Sequence, residues 1–287
     1  LLTDSPALAG CSRCIEVVDL SGRVALITGG GRGLGRAMAL ALAQAGASVA
    51  ITGATASTGL DQTVADMPAG RGLALAADVT SDEDCARAVQ STLAAFGRID
   101  MLVNNAGRGM RLVSETFTSD PVKFWTVPTD VWAKIMDINV DGAFRMAKAV
   151  MPQFLAQGSG RIVNISTSDQ TMVRRGYAPY GPSKAALEAA SRIWAQDAAG
   201  TGVCVNVLLP GGASDTDLLP SGPGRRGADG NLLPPQIMGP PIVWLLSDSA
   251  STTTGRRMIA RLFDPALPPD EAAARAMTAI VDKPLIL

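Results

Sequence analysis

The sequence of 287 residues contains no histidine. Imidazole is therefore absent from any mechanism, which excludes a Ser-His-Asp triad and the common histidine-ligated zinc sites. Cysteine is scarce, with residues only at 11, 14, 85 and 204. Cys11 and Cys14 form a lone CxxC, CSRC, without a second pair at metal-ligand spacing, so no metal site is expected. Its setting reads as loop rather than as the strand-to-helix context of a redox pair. Nothing suggests a disulfide framework, so a reducing, cytoplasmic location is expected. No apolar run reaches the length of a membrane span, and the first twenty residues lack the basic start and apolar stretch of a secretion signal. An excess of either charge is missing too: 25 Lys and Arg face 26 Asp and Glu, a net charge of -1. This gives no long-range attraction to nucleic acid or to an anionic membrane, and no basic stripe is interleaved with aromatics. The pairs Arg174-Arg175, Arg225-Arg226 and Arg256-Arg257 read as solvated surface.

What the chain does have is apolar residues, 47% of the total, arranged in a repeating alternation. Short apolar runs at 23–28, 48–52, 72–77, 101–104, 161–166, 203–209 and 256–263 read as strands buried on both faces. Between them lie amphipathic stretches: 35–46 closed by Gly46, about 59–67, a helix capped by Ser81, a long helix within 130–157, one from about Tyr180 to Ala198, and 242–248. Strand-helix alternation of this kind predicts a doubly wound α/β sheet of Rossmann type, three layers deep. Residues 1–22 read as an N-terminal extension, 23–263 as one domain, and 264–287 as a tail with a short helix. Residues 108–130 and the Gly- and Pro-rich stretch 211–240 follow the fourth and sixth strands. Both therefore belong at the carboxyl edge, where open α/β sheets bind ligands, and 211–240 reads as a lid.

The sequence TGGGRGLG, 28–35, joins the first strand to the first helix. Gly29, Gly33 and Gly35 allow a sharp turn and close backbone approach to a pyrophosphate, and the helix amides from Leu34 onward present the positive dipole end. The order strand, glycine cluster, helix indicates a dinucleotide site. Bound ribose with a free 2'-hydroxyl calls for a carboxylate after the second strand, whereas a 2'-phosphate calls for a cation. Residues 54–57 contain no acid, Thr55 offers a hydroxyl, and Arg32 lies inside the glycine turn. NADP(H) is therefore expected, with NAD(H) as the alternative. Asp78, closing the third strand, can accept from an adenine amino group or cap the next turn. Asn104-Asn105-Ala106-Gly107 offers a small, polar wall beside a nucleotide.

Tyr180 and Lys184 stand at i and i+4 on one helix face, with Pro182 restricting them to its opening turn. An ammonium beside a phenol is expected to bring its pKa down from about 10 toward useful range. Thr167, thirteen residues earlier, can hold a substrate carbonyl, and Ser168 can serve instead if the loop is shifted. Asn139 can hold a water toward Lys184 or bond a carbonyl and widen its helix. Met110, Trp125, Met172, Tyr177, Leu218, Leu219 and Met238 are candidate apolar walls, and Arg174 or Arg175 a candidate contact for an anionic group.

With these motifs, Asp78-Val79, NNAG at 104–107, RIVNIS at 161–166 and Asn206 before Pro210-Gly211, the chain from Asp19 to about Arg261 resembles the short-chain dehydrogenase/reductase family. The resemblance implies a seven-stranded sheet and a homodimer or homotetramer. It implies an oxidoreductase that moves hydride between a nicotinamide and a carbonyl or secondary alcohol. Tyr180 corresponds to the acid/base, Lys184 to the lysine that holds the nicotinamide ribose, and Asn139 to the proton-relay asparagine. The implied cofactor contacts are Gly29, Gly31, Arg32, Gly33, Leu34, Gly35, Thr55, Asp78, Val79, Asn105, Ala106, Gly107, Pro210 and Gly211, with Tyr180 and Lys184. Two features depart from the family: Thr167 replaces a serine, and PGGASDT places Thr216 one position late. A catalytically silent NADP(H)-binding regulator of the same fold and an NAD-dependent alcohol or polyol dehydrogenase are the competing readings.

Overall fold

The computed structural model describes residues 18–222, 225–227 and 230–278. CSRC lies outside these residues. Within them the chain runs β1 (Val24–Thr28), α1 (Gly33–Gln44), β2 (Ser48–Gly53), α2 (Thr58–Ala65), β3 (Gly72–Ala76), α3 (Asp82–Phe96) and β4 (Met101–Asn104). It continues with α4 (Thr129–Met136), α5 (Gly142–Gln157), β5 (Gly160–Ile165), α6 (Asp169–Met172), α7 (Tyr180–Asp197), β6 (Val203–Leu209), α8 (Gly239–Leu246), β7 (Arg257–Ile259) and α9 (Pro269–Ala276). The strands form one seven-stranded sheet in the order β3-β2-β1-β4-β5-β6-β7, and every pairing is parallel. Helices cover both faces, giving a three-layer α/β/α Rossmann fold.

Strand alternation divides the core in two. Ala25, Ile27, Val49, Ile51, Met101 and Val103 point to one face, where α1, α8 and α9 bury Met38, Leu42, Ile242, Leu245 and Ala273 against them. Leu26, Ala50, Leu102 and Ile162 point to the other, against Val89 of α3, Val150 and Phe154 of α5 and Ala195 of α7. Both faces of the central strands are thus dry, which is why they read as unbroken apolar runs. The expected caps are present: Ser81 Oγ accepts from the Asp84 amide at 3.1 Å, and Gly46 adopts φ +104° after α1.

Two expectations are corrected. The long helix expected within 130–157 is two helices joined by a π-helical turn, Asp137–Asp141. Asn139 sits in that turn, bonded across to another segment, so tertiary contacts widen the helix there. The strand expected over 256–263 is only Arg257–Ile259. A single 3-10 turn, Ala260–Leu262, follows, and the Arg261 amide bonds the Pro210 carbonyl at 3.0 Å, drawing the chain off the sheet toward the loop after β6. Among the described residues no helix is long and apolar enough to cross a membrane, and no cluster of His, Cys, Asp and Glu could hold a metal ion.

Candidate active site

The sheet order reverses between β1 and β4, so the loops leaving these two strands diverge and open a crevice of about 1700 Å³ at the carboxyl edge. Its floor at the nucleotide end is the glycine turn. Gly29 adopts φ +67°, the left-handed region in which a β-carbon is strained. A β-carbon on Gly35 would run into the Gly29 carbonyl and lie 2.5 Å from Asn105 Nδ2. Asn105 stitches the turn to the neighbouring loop: its Nδ2 donates to the Thr28 and Gly29 carbonyls at 2.9 and 3.0 Å. Thr28 Oγ1 accepts from the Asn105 and Ala106 amides at 3.0 and 2.9 Å. No side chain caps α1 and no acid occupies its first turn, so its leading amides face the crevice with their partial positive charge available to an anion. These features fit a dinucleotide pyrophosphate. Replacing Gly35 by Ala should force the turn apart and weaken NAD(P)H binding at least about tenfold, a cost typical of overpacking at about 1–3 kcal/mol; the change in reduced-cofactor fluorescence on titration would measure it.

Of the remaining expected cofactor contacts, Gly31, Arg32, Gly33, Leu34, Thr55, Asp78, Val79, Ala106, Gly107, Pro210 and Gly211 line the same crevice, whereas Gly35 is buried behind the turn and does not. Asp78 Oδ1 accepts from the amide and hydroxyl of Thr80 at 3.0 and 2.9 Å, so the turn-capping role is present. Arg32 is two-thirds exposed and meets Asp217 of the 211–240 segment at 3.4 Å. That segment is pinned by a parallel bridge between Ser214 and Leu233. Thr216 lies over the glycine turn, with its methyl 3.2 Å from where a β-carbon on Gly33 would stand.

At the other end the fold gathers Thr167, Tyr180 and Lys184 on the crevice wall. Tyr180 opens α7, with Pro182 in its first turn. Lys184 is buried and its Nζ donates to the Ile165 carbonyl at 2.8 Å, tying α7 to the end of β5. Burial holds the Lys184 ammonium down to about 8, with the Glu188 carboxylate opposing the shift. Burial also pushes the Tyr180 phenol up to about 12; the Thr167 hydroxyl pulls the other way, and Tyr177 adds a further upward push. This reverses the expectation that Lys184 would bring the phenol down. The ammonium is directed at a carbonyl and is itself costly to keep charged, so loss of water dominates at the phenol.

Ser168 is committed elsewhere, capping α6 by accepting from the Thr171 amide at 3.2 Å and pairing with Thr171 Oγ1 at 2.9 Å. Thr167 is therefore the hydroxyl that meets Tyr180. Ser166 Oγ, also on the crevice wall, is buried without a protein partner. Asn139 Nδ2 donates to the Arg108 carbonyl and to Ser183 Oγ, both at 2.9 Å, while its Oδ1 accepts from the Arg108 amide at 2.8 Å. Both donors of the amide are thus engaged in holding the π-helical turn, the loop after β4 and α7 together.

Met110, Tyr177, Leu218 and Leu219 line the crevice as expected. Trp125, Met172 and Met238 do not. Trp125 is exposed, edge-on to Phe124 and beneath Lys123; Met172 is buried, and Met238 is part of the core. Arg174 and Arg175 line the crevice, and Arg174 stacks on Tyr177 at 5.2 Å. Sequence reasoning missed the buried chain in which Asn104 Nδ2 donates to Asn164 Oδ1 and Asn164 Nδ2 to Ser191 Oγ, at 2.8 and 2.7 Å, beneath the site. It also misplaced Arg257, whose guanidinium is turned inward to the Thr167 carbonyl rather than into solvent.

A glycine turn at the switch point and a phenol-ammonium pair on the same crevice define a nucleotide-dependent oxidoreductase site. The short chain dehydrogenase family matches residues 23–222, and the chain belongs to that family. It is 37% identical over 194 residues to the 3-oxoacyl-[acyl-carrier-protein] reductase of Synechocystis sp., covering 67% of this chain and 74% of that protein. It is 33% identical over 248 residues to the corresponding reductase of Escherichia coli, covering 84% and 96%. Among solved structures it resembles the 3-ketoacyl-(acyl-carrier-protein) reductase of Brucella melitensis complexed with NADH, at TM-score 0.73 and 31% identity, covering 83% and 96%. The chain is accordingly an enzyme of NAD(P)H-dependent oxidoreductase type.

Proposed function

We propose that the protein reduces a carbonyl compound with NADPH, and oxidises the corresponding secondary alcohol in reverse. The observation that carries this reading is the phenol of Tyr180, kept protonated by burial against the Thr167 hydroxyl, with the buried Lys184 one turn along α7. A protonated phenol is the form that can donate to a developing alkoxide. Thr167 orients the carbonyl oxygen toward Tyr180 Oη, and a bond from its hydroxyl strengthens as negative charge builds on that oxygen. The bound nicotinamide supplies the hydride. Lys184, released from the Ile165 carbonyl, is suited to hold the nicotinamide ribose and return a proton to the phenol. Asn139 fixes the approach of α7 through Ser183, and Ser166 Oγ offers a further donor or acceptor at the nicotinamide end. The relatives named above are 3-oxoacyl reductases, which supports a ketone as the group reduced. Reduction of a panel of carbonyl compounds, followed by NADPH absorbance, tests the reading; binding of NADPH without turnover of any compound would favour the silent regulator.

The preference for NADP(H) rests on Arg32 at the crevice and on the absence of an acid at 54–57. Arg32→Ala should weaken NADPH about 10–100-fold and NADH less than threefold, the loss expected of one charge-assisted bond to a phosphate, about 1.5–3 kcal/mol. The Brucella relative carries NADH, so the decisive measurement is a direct comparison of dissociation constants for both cofactors in both proteins. Equal weakening of the two would remove Arg32 from phosphate recognition. We further infer a homo-oligomer, supported by exposed Phe144 and Leu155 on α5 and Ile193 on α7, to be checked by light scattering. A reducing, cytoplasmic setting is supported by the buried free thiols of Cys85 and Cys204.

A further inference from the structure

The Arg256-Arg257 pair reads from sequence as surface charge, yet Arg257 reaches inward from the edge strand β7. Its Nη2 donates to the Thr167 carbonyl at 2.9 Å. Its Nε stands 3.2 Å from each carboxylate oxygen of Glu188. Both side chains of this ion pair are about four-fifths buried. Glu188 is one helical turn beyond Lys184 on α7. The main chain of Arg257 is itself fixed: its carbonyl accepts from the Thr278 amide at 2.9 Å and from Thr278 Oγ1 at 3.2 Å.

One guanidinium therefore joins three elements: the loop after β5, the helix that carries Tyr180 and Lys184, and β7. Arg257 is not among the residues that line the crevice. Its effect passes through the Thr167 peptide. That peptide lies just past the end of β5 and before the first turn of α6, where neither the sheet ladder nor a helix fixes the carbonyl. Without this anchor the loop between β5 and α6 is free to shift, and the Thr167 Cα and side chain with it. The planar fork of arginine suits the task because it fills two acceptor directions at once, one for the carboxylate and one for the carbonyl.

We propose that Arg257 is a positioning residue for hydride transfer, holding the Thr167 hydroxyl in register with the Tyr180 phenol by clamping the Thr167 carbonyl to Glu188 of α7. The proposal rests on the carbonyl-reductase reading above.

The test separates positioning from support of the fold. Arg257→Met should lower kcat about 10–30-fold while the dissociation constant for NADPH changes less than twofold. It also strands the Glu188 carboxylate in a largely buried place, so its melting temperature should fall. Arg257→Met with Glu188→Leu removes the stranded charge and should recover the melting temperature while kcat stays low. Arg257→Lys, which can reach the carbonyl without the fork, should recover part of kcat. Recovery of kcat together with stability in the double variant would overturn the proposal, as would an Arg257→Met enzyme whose kcat is unchanged. A wild-type protein that reduces no carbonyl compound removes the underlying reading instead, and this inference with it.

Discussion

Replacing Tyr180 by Phe should reduce kcat about 10³-fold while leaving NADPH affinity within about threefold and the melting temperature nearly unchanged. The size follows from the contribution of a positioned general acid, about 10²–10⁴ in rate. The selectivity follows from the site. Phe preserves the ring that opens α7 and removes only the oxygen that meets Thr167. The hydroxyl of Ser183 still bonds the Tyr180 main-chain carbonyl at 2.7 Å, so the helix start is kept. The lysine anchor on Ile165 does not involve the phenol. Single-turnover reduction at saturating NADPH, with fluorescence titration of the cofactor, separates chemistry from binding. Turnover within tenfold of the wild type would show that another group supplies the proton. The same phenol sets the direction of pH dependence. With Tyr180 pushed up to about 12 and Lys184 down to about 8, reduction does not wait on phenol ionisation anywhere near neutrality. Any fall in reduction rate on raising pH through about 8 would instead report loss of the proton that Lys184 must return.

How much of this could be read from the chain alone depended on how far apart the partners lie. The glycine turn and the Tyr180-Lys184 pair are local patterns, recognisable because helix and turn geometry fix neighbours a few positions apart. The strands β1, β2, β4, β5 and β6 were legible because burial on both faces leaves runs with few polar residues, and β3, half-buried at the sheet edge, from its short apolar run. β7 was placed within 256–263, but its end was not legible, because only Arg257–Ile259 pair with β6 before the chain turns off the sheet. Arg257 looked solvated because its acceptors, Glu188 and Thr167, are 69 and 90 positions away. Asn139 was recognised as internal, but its π-helical turn depends on the main chain of Arg108, 31 positions earlier. The polar chain from Asn104 through Asn164 to Ser191 spans three elements and has no periodic signature. The largest error concerned electrostatics. Spacing showed that Lys184 shares a face with Tyr180 but not that its ammonium would turn to Ile165, nor how completely both groups would lose water.

That loss of water gives Lys184 a cost that can be measured apart from catalysis. Its ordinary value of 10.5 falls to about 8 in the fold. Between those two values the unfolded chain still holds a proton that the folded protein has released, so stability rises with pH across the window. Below pH 8 both states are protonated and the folded protein carries the full penalty, about 3 kcal/mol at 1.36 kcal/mol per unit. Lys184→Met keeps the length and most of the volume of the side chain and deletes the charge. It also leaves the Ile165 carbonyl without its donor, which costs about 1–3 kcal/mol. The two nearly offset, so the melting temperature at pH 7 should stay level or rise by up to about 4 °C, while turnover falls at least about 100-fold. The sharper signature lies above neutrality. Relative to the variant, the wild type should gain stability from pH 8 to 10.5, with its own stability rising most plainly between pH 8 and 9, where the variant should show no gain. Superimposed on this, both should lose stability above about pH 9, where unfolded cysteine and then tyrosine ionise while buried Cys85, raised to about 11, and Tyr180, raised to about 12, keep their protons. Denaturant unfolding at pH 7, 8, 9 and 10 would check this in the cofactor-free protein. A variant that melts well below the wild type at pH 7, or that keeps the rising limb, would make Lys184 a structural anchor rather than a buried charge retained for its chemistry.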